Sequence, residues 1–308
     1  MSLFLKKDVF FVKFPIVFPL IYLTILYTLP SFETHLIFIT ILLLAESHFG
    51  ATWPFFLDKV NFPHIIKKKI EFIVIPILLT LFCIIGFFYF KNIFLLIFFI
   101  ANMYHVTRQS YGITNLYVKE PYEKKHYTNI IYAFNILFFF IAYFRFYMPV
   151  INNENLLILN FLIILAIIIV FYFEFKKFGF SENFLTLITG VLIFYPVCFV
   201  SNPVHAIIMG VTMHYSQYLY LTTKVIKKRN IEKNTNKKSK MFGFLFVIII
   251  YSSIMSVLSI FGKNDSDVLK NLIFIPITGQ MLHFYLDSQL WKFSESHNRE
   301  NILQYIKN

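Results

Sequence analysis

Four short stretches of the chain carry the residue types that can do chemistry. They are Glu46-Ser47-His48-Phe49-Gly50, Tyr104-His105-Val106-Thr107-Arg108-Gln109, Met213-His214-Tyr215-Ser216-Gln217 and Leu282-His283-Phe284-Tyr285-Leu286-Asp287. Each sets a histidine inside a run apolar enough to cross a bilayer. In the second stretch His105, Arg108, Gln109 and Gly112 recur at i, i+3, i+4 and i+7, the spacing of one helix face. An arginine at membrane depth is costly, by about 3 kcal/mol or more, so Arg108 is expected to face protein or water. Gln217 and Tyr218 follow His214 at i+3 and i+4, Gln280 precedes His283 by three, and Asp287 follows it by four. Glu46 lies two before His48, which on a regular helix points it elsewhere.

Neutral imidazole suits iron, zinc or copper, and histidines on facing helices make the metal site of a helical bundle. The expected ligands are His48, His105, His214 and His283, with iron as the expected metal. Asp287 can orient the ring of His283 or ligate directly. Arg108 and Gln109 can hold a polar group or counter-charge, and Gln217 and Tyr218 share the face of His214. No His-x-x-x-His or Cys-x-x-Cys pair occurs, and none of these four histidines has a Glu three residues before it, so the ligands must come one from each helix. A single membrane histidine can be a hydrogen-bonded packing residue. Four of them with ionisable neighbours are functional by default, because intramembrane ionisable groups are costly.

The elements that must position these residues are apolar helices. Of 308 residues 58% are hydrophobic and only 14% charged, against about 25% in a soluble domain. Runs such as Leu156 to Tyr172 do not alternate, which excludes a β-barrel. The class is all-α: a polytopic transmembrane helical bundle of about ten spans. The spans fall at about 9–29, 32–57, 70–90, 92–117, 128–149, 155–173, 183–200, 204–223, 241–261 and 270–291. Lys91-Asn92 is the weakest joint between them. The whole of 1–308 reads as one integral membrane domain, with 224–240 as a basic linker between spans eight and nine. That linker holds eight Lys and Arg against Glu232 alone.

The net charge of +12 does not point to nucleic acid, because the basic residues sit in loops between apolar runs. Nearly all of them fall on one side of the ten-span layout, which makes that side cytoplasmic and places both termini there. The expected location is therefore an integral, multi-pass position in a bacterial inner membrane. His48, His105, His214 and His283 then lie on spans running in one direction, about 13–21 Å below the inner boundary at 1.5 Å per residue. At matched depth they can converge. The other five histidines, His35, His64, His126, His205 and His297, fall in loops or span ends and read as solvated or interfacial. Cys83 and Cys198 fall within spans and read as small buried residues, not a disulfide.

The layout resembles the Brp/Blh membrane β-carotene dioxygenases. Ser47-His48-Phe49-Gly50 is similar to that family's early His-Gly element, and Met213-His214-Tyr215-Ser216 to its later His-Ser region. Tyr218 stands where the later region carries a second histidine. The resemblance implies iron held by four histidines spread over the spans, and oxygen chemistry on an isoprenoid.

Two functions of different class follow. The first is an intramembrane non-haem iron oxidoreductase or oxygenase acting on a lipid-soluble substrate, an isoprenoid, carotenoid or acyl chain. The second is a transporter or channel that uses the buried His, Arg and Asp as a proton or anion site. Transporters often show Gly- and Pro-broken helices in matched halves, and the chain has nine Gly and no evident repeat. A scaffold whose basic linker binds anionic membrane lipids is a third. No Walker, Rossmann or nucleophile-elbow signature appears.

Overall fold

A computed structural model describes residues 6–56, 58–148, 153–232, 237–262 and 270–307. Among them every regular element is helical and none is a strand. The helices in chain order are α1 (Val17–Thr28), α2 (Glu33–Thr40), α3 (Glu46–Gly50), α4 (Trp53–Phe56), α5 (Phe62–Lys67), α6 (Ile75–Tyr89) and α7 (Lys91–Tyr117). They continue with α8 (Pro121–Ala142), α9 (Asn153–Phe178), α10 (Glu182–Leu192), α11 (Pro203–Glu232), α12 (Lys237–Phe261) and α13 (Phe274–Leu290).

Among the described residues five stretches are long and apolar enough to cross a membrane: Pro30–Phe56, Ile70–Tyr89, Pro121–Tyr147, Glu154–Phe178 and Met241–Ile260. That is fewer than the ten spans expected, and the reasons are local. The run 9–29 breaks at Phe14, whose backbone leaves the helical region (φ −147°, ψ 64°) ahead of Pro15, and leaves α1 with 12 residues. The run 183–200 stops at Leu192, because Pro196 has no N–H to return to the Leu192 carbonyl. Helices α7 and α11 have ample length, 27 and 30 residues, but carry too many polar side chains. Helix α13 has 17 residues, short of the roughly 20 that span a bilayer. The joint at Lys91-Asn92 is a true break: α6 ends at Tyr89 and α7 begins at Lys91.

The basic segment 224–240 is largely helical. Helix α11 runs on to Glu232 and α12 starts at Lys237, while 233–236 lie outside the described residues. Arg229 within it is buried and pairs with Asp58 at 2.8 Å, so this cation is not a solvated loop residue.

By their contacts the residues form two compact units. The first comprises Met1–Ile37 and Met103–Gln217. Its centre is α10, whose apolar face (Phe184, Leu185, Leu187, Val191) is buried. Gly179, at φ +66, closes α9 with its N–H on the Phe175 carbonyl, and Ser181 then caps α10 by accepting the Phe184 N–H at 3.2 Å. A π-helical turn at Val9–Lys13 packs on α10, and Lys13 and Lys6 both pair with Glu182. Gly210 on α11 has to be glycine, since a methyl there would overlap the Ile193 carbonyl oxygen.

The second unit comprises Phe38–Asn102 and Tyr218–Asn308. Cys83, Phe87 and Phe94 pack with Ile277 and Met281 of α13 in one core cluster. Tyr251 of α12 fits against Gly50 of α3 and Gly279 of α13, where added methyls would meet its ring at 3.0 Å and its hydroxyl at 2.7 Å. Those two glycines let the three helices approach. Cys83 and Cys198 are both free and buried, as expected.

Candidate metal-binding residues

The second unit builds its polar centre from a distorted helix. A π-helical turn at Ile41–Ala45 places the Glu46 N–H on the Ile41 carbonyl, five residues back, and the Ser47 hydroxyl on the Leu42 carbonyl at 2.9 Å. Helix α3 then lasts only to Gly50, because Pro54 offers no N–H to the Gly50 carbonyl. The outcome is that Glu46, His48 and Thr52 are all buried, at 1%, 0% and 0% exposure. Glu46 therefore does not point away: its carboxylate accepts from the Gln280 amide at 3.2 Å.

His48 packs edge to face against His283, with ring centroids 4.3 Å apart, and against Tyr218 at 4.7 Å. Thr52 Oγ1 lies 2.8 Å from the Tyr218 hydroxyl and 2.7 Å from His283 Nδ1. Asp287, one turn beyond His283, lies against the same Tyr218 hydroxyl and the Trp291 indole. Proton count gives this series a direction. With Asp287 ionised it only accepts, and then Tyr218 donates to Asp287, Thr52 donates to Tyr218, and His283 donates its Nδ1–H to Thr52. That tautomer leaves the lone pair of His283 on Nε2, the nitrogen a metal would take. Asp287 thus acts on His283 through Tyr218 and Thr52.

The first unit holds the other two histidines. His105 of α7 and His214 of α11 are buried and pack edge to face, 5.0 Å between centroids. The Gln109 amide donates to the His214 carbonyl at 3.1 Å and to Gln217 Oε1 at 3.2 Å. Gln217 in turn donates to the Val12 carbonyl at 2.7 Å, and Ser216 to the Phe11 carbonyl at 3.1 Å. Both carbonyls belong to the π-helical turn at Val9–Lys13. Gln109 and Gln217 are thus fastenings that hold α7, α11 and the N-terminal turn, rather than groups aimed at a reactant.

Arg108 departs from expectation. It is exposed, and its guanidinium lies over the Tyr111 ring at 4.8 Å. Gly112 keeps its place on the face of His105, with open space where a side chain would go. A long arginine stem lets the charge leave the turn that carries it, which residue spacing does not reveal. His48, His105, His214 and His283, together with the Asp287 carboxylate, are buried and each can offer a ligand atom to a metal ion.

The remaining histidines divide. His35, in the first turn of α2, is exposed and stacks on Phe32, as expected of a span end. His205 is buried at 2% exposure, with Nδ1 at 2.7 Å from the Tyr22 hydroxyl and Nε2 at 2.8 Å from Glu33. His126 pairs with Glu174 at 2.7 Å. His64 and His297 stack face to face, 4.1 Å apart with rings 2° from parallel, and His297 Nε2 reaches Asn61 at 2.9 Å. Burial first, and then neighbouring Lys68, hold His64 below the ordinary histidine value of 6.5. His297 is lowered by burial, then by His64 and Arg229. The partners of His205 and His297 lie more than 150 positions away and Glu174 lies 48 from His126, so no local spacing announces them.

No protein-family model, curated protein or solved structure matches the chain.

Proposed function

We propose that the chain is a multi-pass integral membrane oxidoreductase, a histidine-ligated non-haem iron oxygenase acting on a lipid-soluble isoprenoid or acyl chain. The observation that supports it is the series His283–Thr52–Tyr218–Asp287, which with Asp287 ionised sets a buried imidazole in a ligand tautomer. In this reading His48, His105, His214 and His283 hold the metal. Asp287 anchors the hydrogen-bonded series, Gln109 fixes the turn of α11 that bears His214, and Arg108 takes no part. An all-imidazole donor set suits ferrous iron, which would supply the oxygen chemistry. The five apolar helices cross a bacterial inner membrane, the broken or more polar runs 9–29, 92–117, 183–200, 204–223 and 270–291 make up the rest of the ten spans, and both termini are cytoplasmic. The resemblance to the membrane β-carotene dioxygenases points to the same substrate class.

Elemental analysis of detergent-purified chain tests the reading. The expected content is about one or two iron atoms per chain, lost in His105→Ala or His214→Ala variants that still insert and purify. Absence of stoichiometric metal after anaerobic, metal-replete purification would overturn it. A second reading, a transporter with a proton site, draws on the buried Glu46–Gln280 contact and on the Tyr22–His205–Glu33 series. It requires pH-driven uptake by metal-free protein in vesicles.

A further inference from the structure

The first unit carries an open groove of about 780 Å³ whose contents nothing in the histidine chemistry explains. Its volume falls within the roughly 300–1,000 Å³ of small-molecule sites. Leu157, Phe161 and Ile164 of α9, at i, i+4 and i+7, form one wall, and Tyr195 and Phe199 also line it. Set among these apolar side chains is a guanidinium, that of Arg145 in the π-helical turn Tyr143–Tyr147. Arg145 Nη1 donates to the Val197 carbonyl at 2.7 Å. That uses one of five N–H donors on the group. Among the described residues no carboxylate pairs with Arg145, although a half-buried cation in apolar surroundings calls for an anion.

We infer that this groove binds an anionic amphiphile, its carboxylate or phosphate head on Arg145 and its hydrocarbon chain along Leu157, Phe161 and Ile164. A planar fork of donors suits either oxyanion by paired hydrogen bonds. The stripe from Leu157 to Ile164 runs about 10 Å at 1.5 Å per residue, the length of several methylenes laid side-on. The inference is independent of the metal reading: iron-free protein binds the same ligand.

The test is binding of spin-labelled stearate, its methyl ester and spin-labelled phosphatidate to the detergent-purified full chain. One or both anions should be retained at least about tenfold more tightly than the ester, the worth of hydrogen bonds to a charged partner. Preference for stearate identifies a free acid and preference for phosphatidate a lipid headgroup. Arg145→Gln should erase the preference, and Arg145→Lys should restore part of it. Ile164→Trp fills the groove with Arg145 in place and should weaken binding of the preferred anion. Equal retention of ester and anions by the unaltered chain overturns the inference. So does an Arg145→Gln variant that still discriminates, or an Ile164→Trp variant that binds as before.

Discussion

Replacing Thr52 by Val keeps the shape of the side chain and removes one oxygen. That oxygen stands between two fully buried polar groups, 2.8 Å from the Tyr218 hydroxyl and 2.7 Å from His283 Nδ1. Leaving a buried donor or acceptor without its partner costs about 1–3 kcal/mol, so losing two contacts should destabilise the fold by about 2–5 kcal/mol. Thr52→Ser is the control. It keeps the hydroxyl and drops one methyl, a loss of about 1 kcal/mol. Metal affinity separates the variants further. Freed from Thr52, the His283 ring no longer has its Nδ1 proton held, and groups in this position are worth about 10–100-fold in affinity. That is about 1.4–2.8 kcal/mol at 1.4 kcal/mol per decade. Thermal unfolding in detergent and iron titration of the purified variants measure both quantities. If Thr52→Val and Thr52→Ser behave alike in both assays, the Thr52 hydroxyl supports neither the fold nor the His283 ring and the reasoning fails.

Gly210→Ala should prevent accumulation of folded protein, because the added methyl runs into the Ile193 carbonyl, whereas Gly112→Ala meets open space. The latter should be neutral or more stable by up to about 1 kcal/mol, the helix preference of Ala over Gly, and expression with thermal unfolding distinguishes the two. His64 and His297 bind protons less readily folded than unfolded, so their stabilisation is present above the unfolded value near 6.5 and is lost as pH falls below it. A His297→Asn variant should therefore show a flatter melting temperature between about pH 7 and pH 5 than the unaltered chain. An equally steep profile would remove the stacked pair from the account. A reporter fused after Asn308 should read out as cytoplasmic; an external signal would overturn the proposed topology.

Much of the architecture is visible in composition. Uninterrupted apolar runs mark Glu154–Phe178 and Ile70–Tyr89 as membrane-length helices without any tertiary information. The helices that fall short are the ones where proline or polar residues interrupt a hydrophobic run, and hydropathy averaged over a window smooths over Pro15 and Pro196. The histidines were identifiable because each is an expensive residue in its context. Thr52 was harder, although it follows His48 at i+4. A threonine in an apolar run looks neutral until its partners, 166 and 231 residues away in the chain, are known. Arg108 shows the opposite failure. Helical spacing fixes where a Cα lies on the face, but a side chain with four rotatable bonds can carry its charge elsewhere. The division into two units is equally invisible in a pattern of spans, since α7 and α11 each contribute residues to both.

The π-helical turn at Ile41–Ala45 makes the chain sensitive to length in a place where it is insensitive to composition. Any of Ile41, Leu42, Leu43 or Leu44 exchanges for another aliphatic residue with little change in hydrophobicity. A change in their number is a different event. Each residue of an α-helix turns the chain by about 100°, so the one extra residue can leave the wide turn with Glu46 and His48 nearly in place, whereas a second deletion, or an insertion, would rotate the two together by more than a quarter of a revolution. Gln280 would lose its carboxylate and His283 its neighbouring ring, in a protein of nearly unchanged hydropathy. In comparing this chain with any relative, the count of residues between Pro30 and His48 is thus a sharper criterion than their identity.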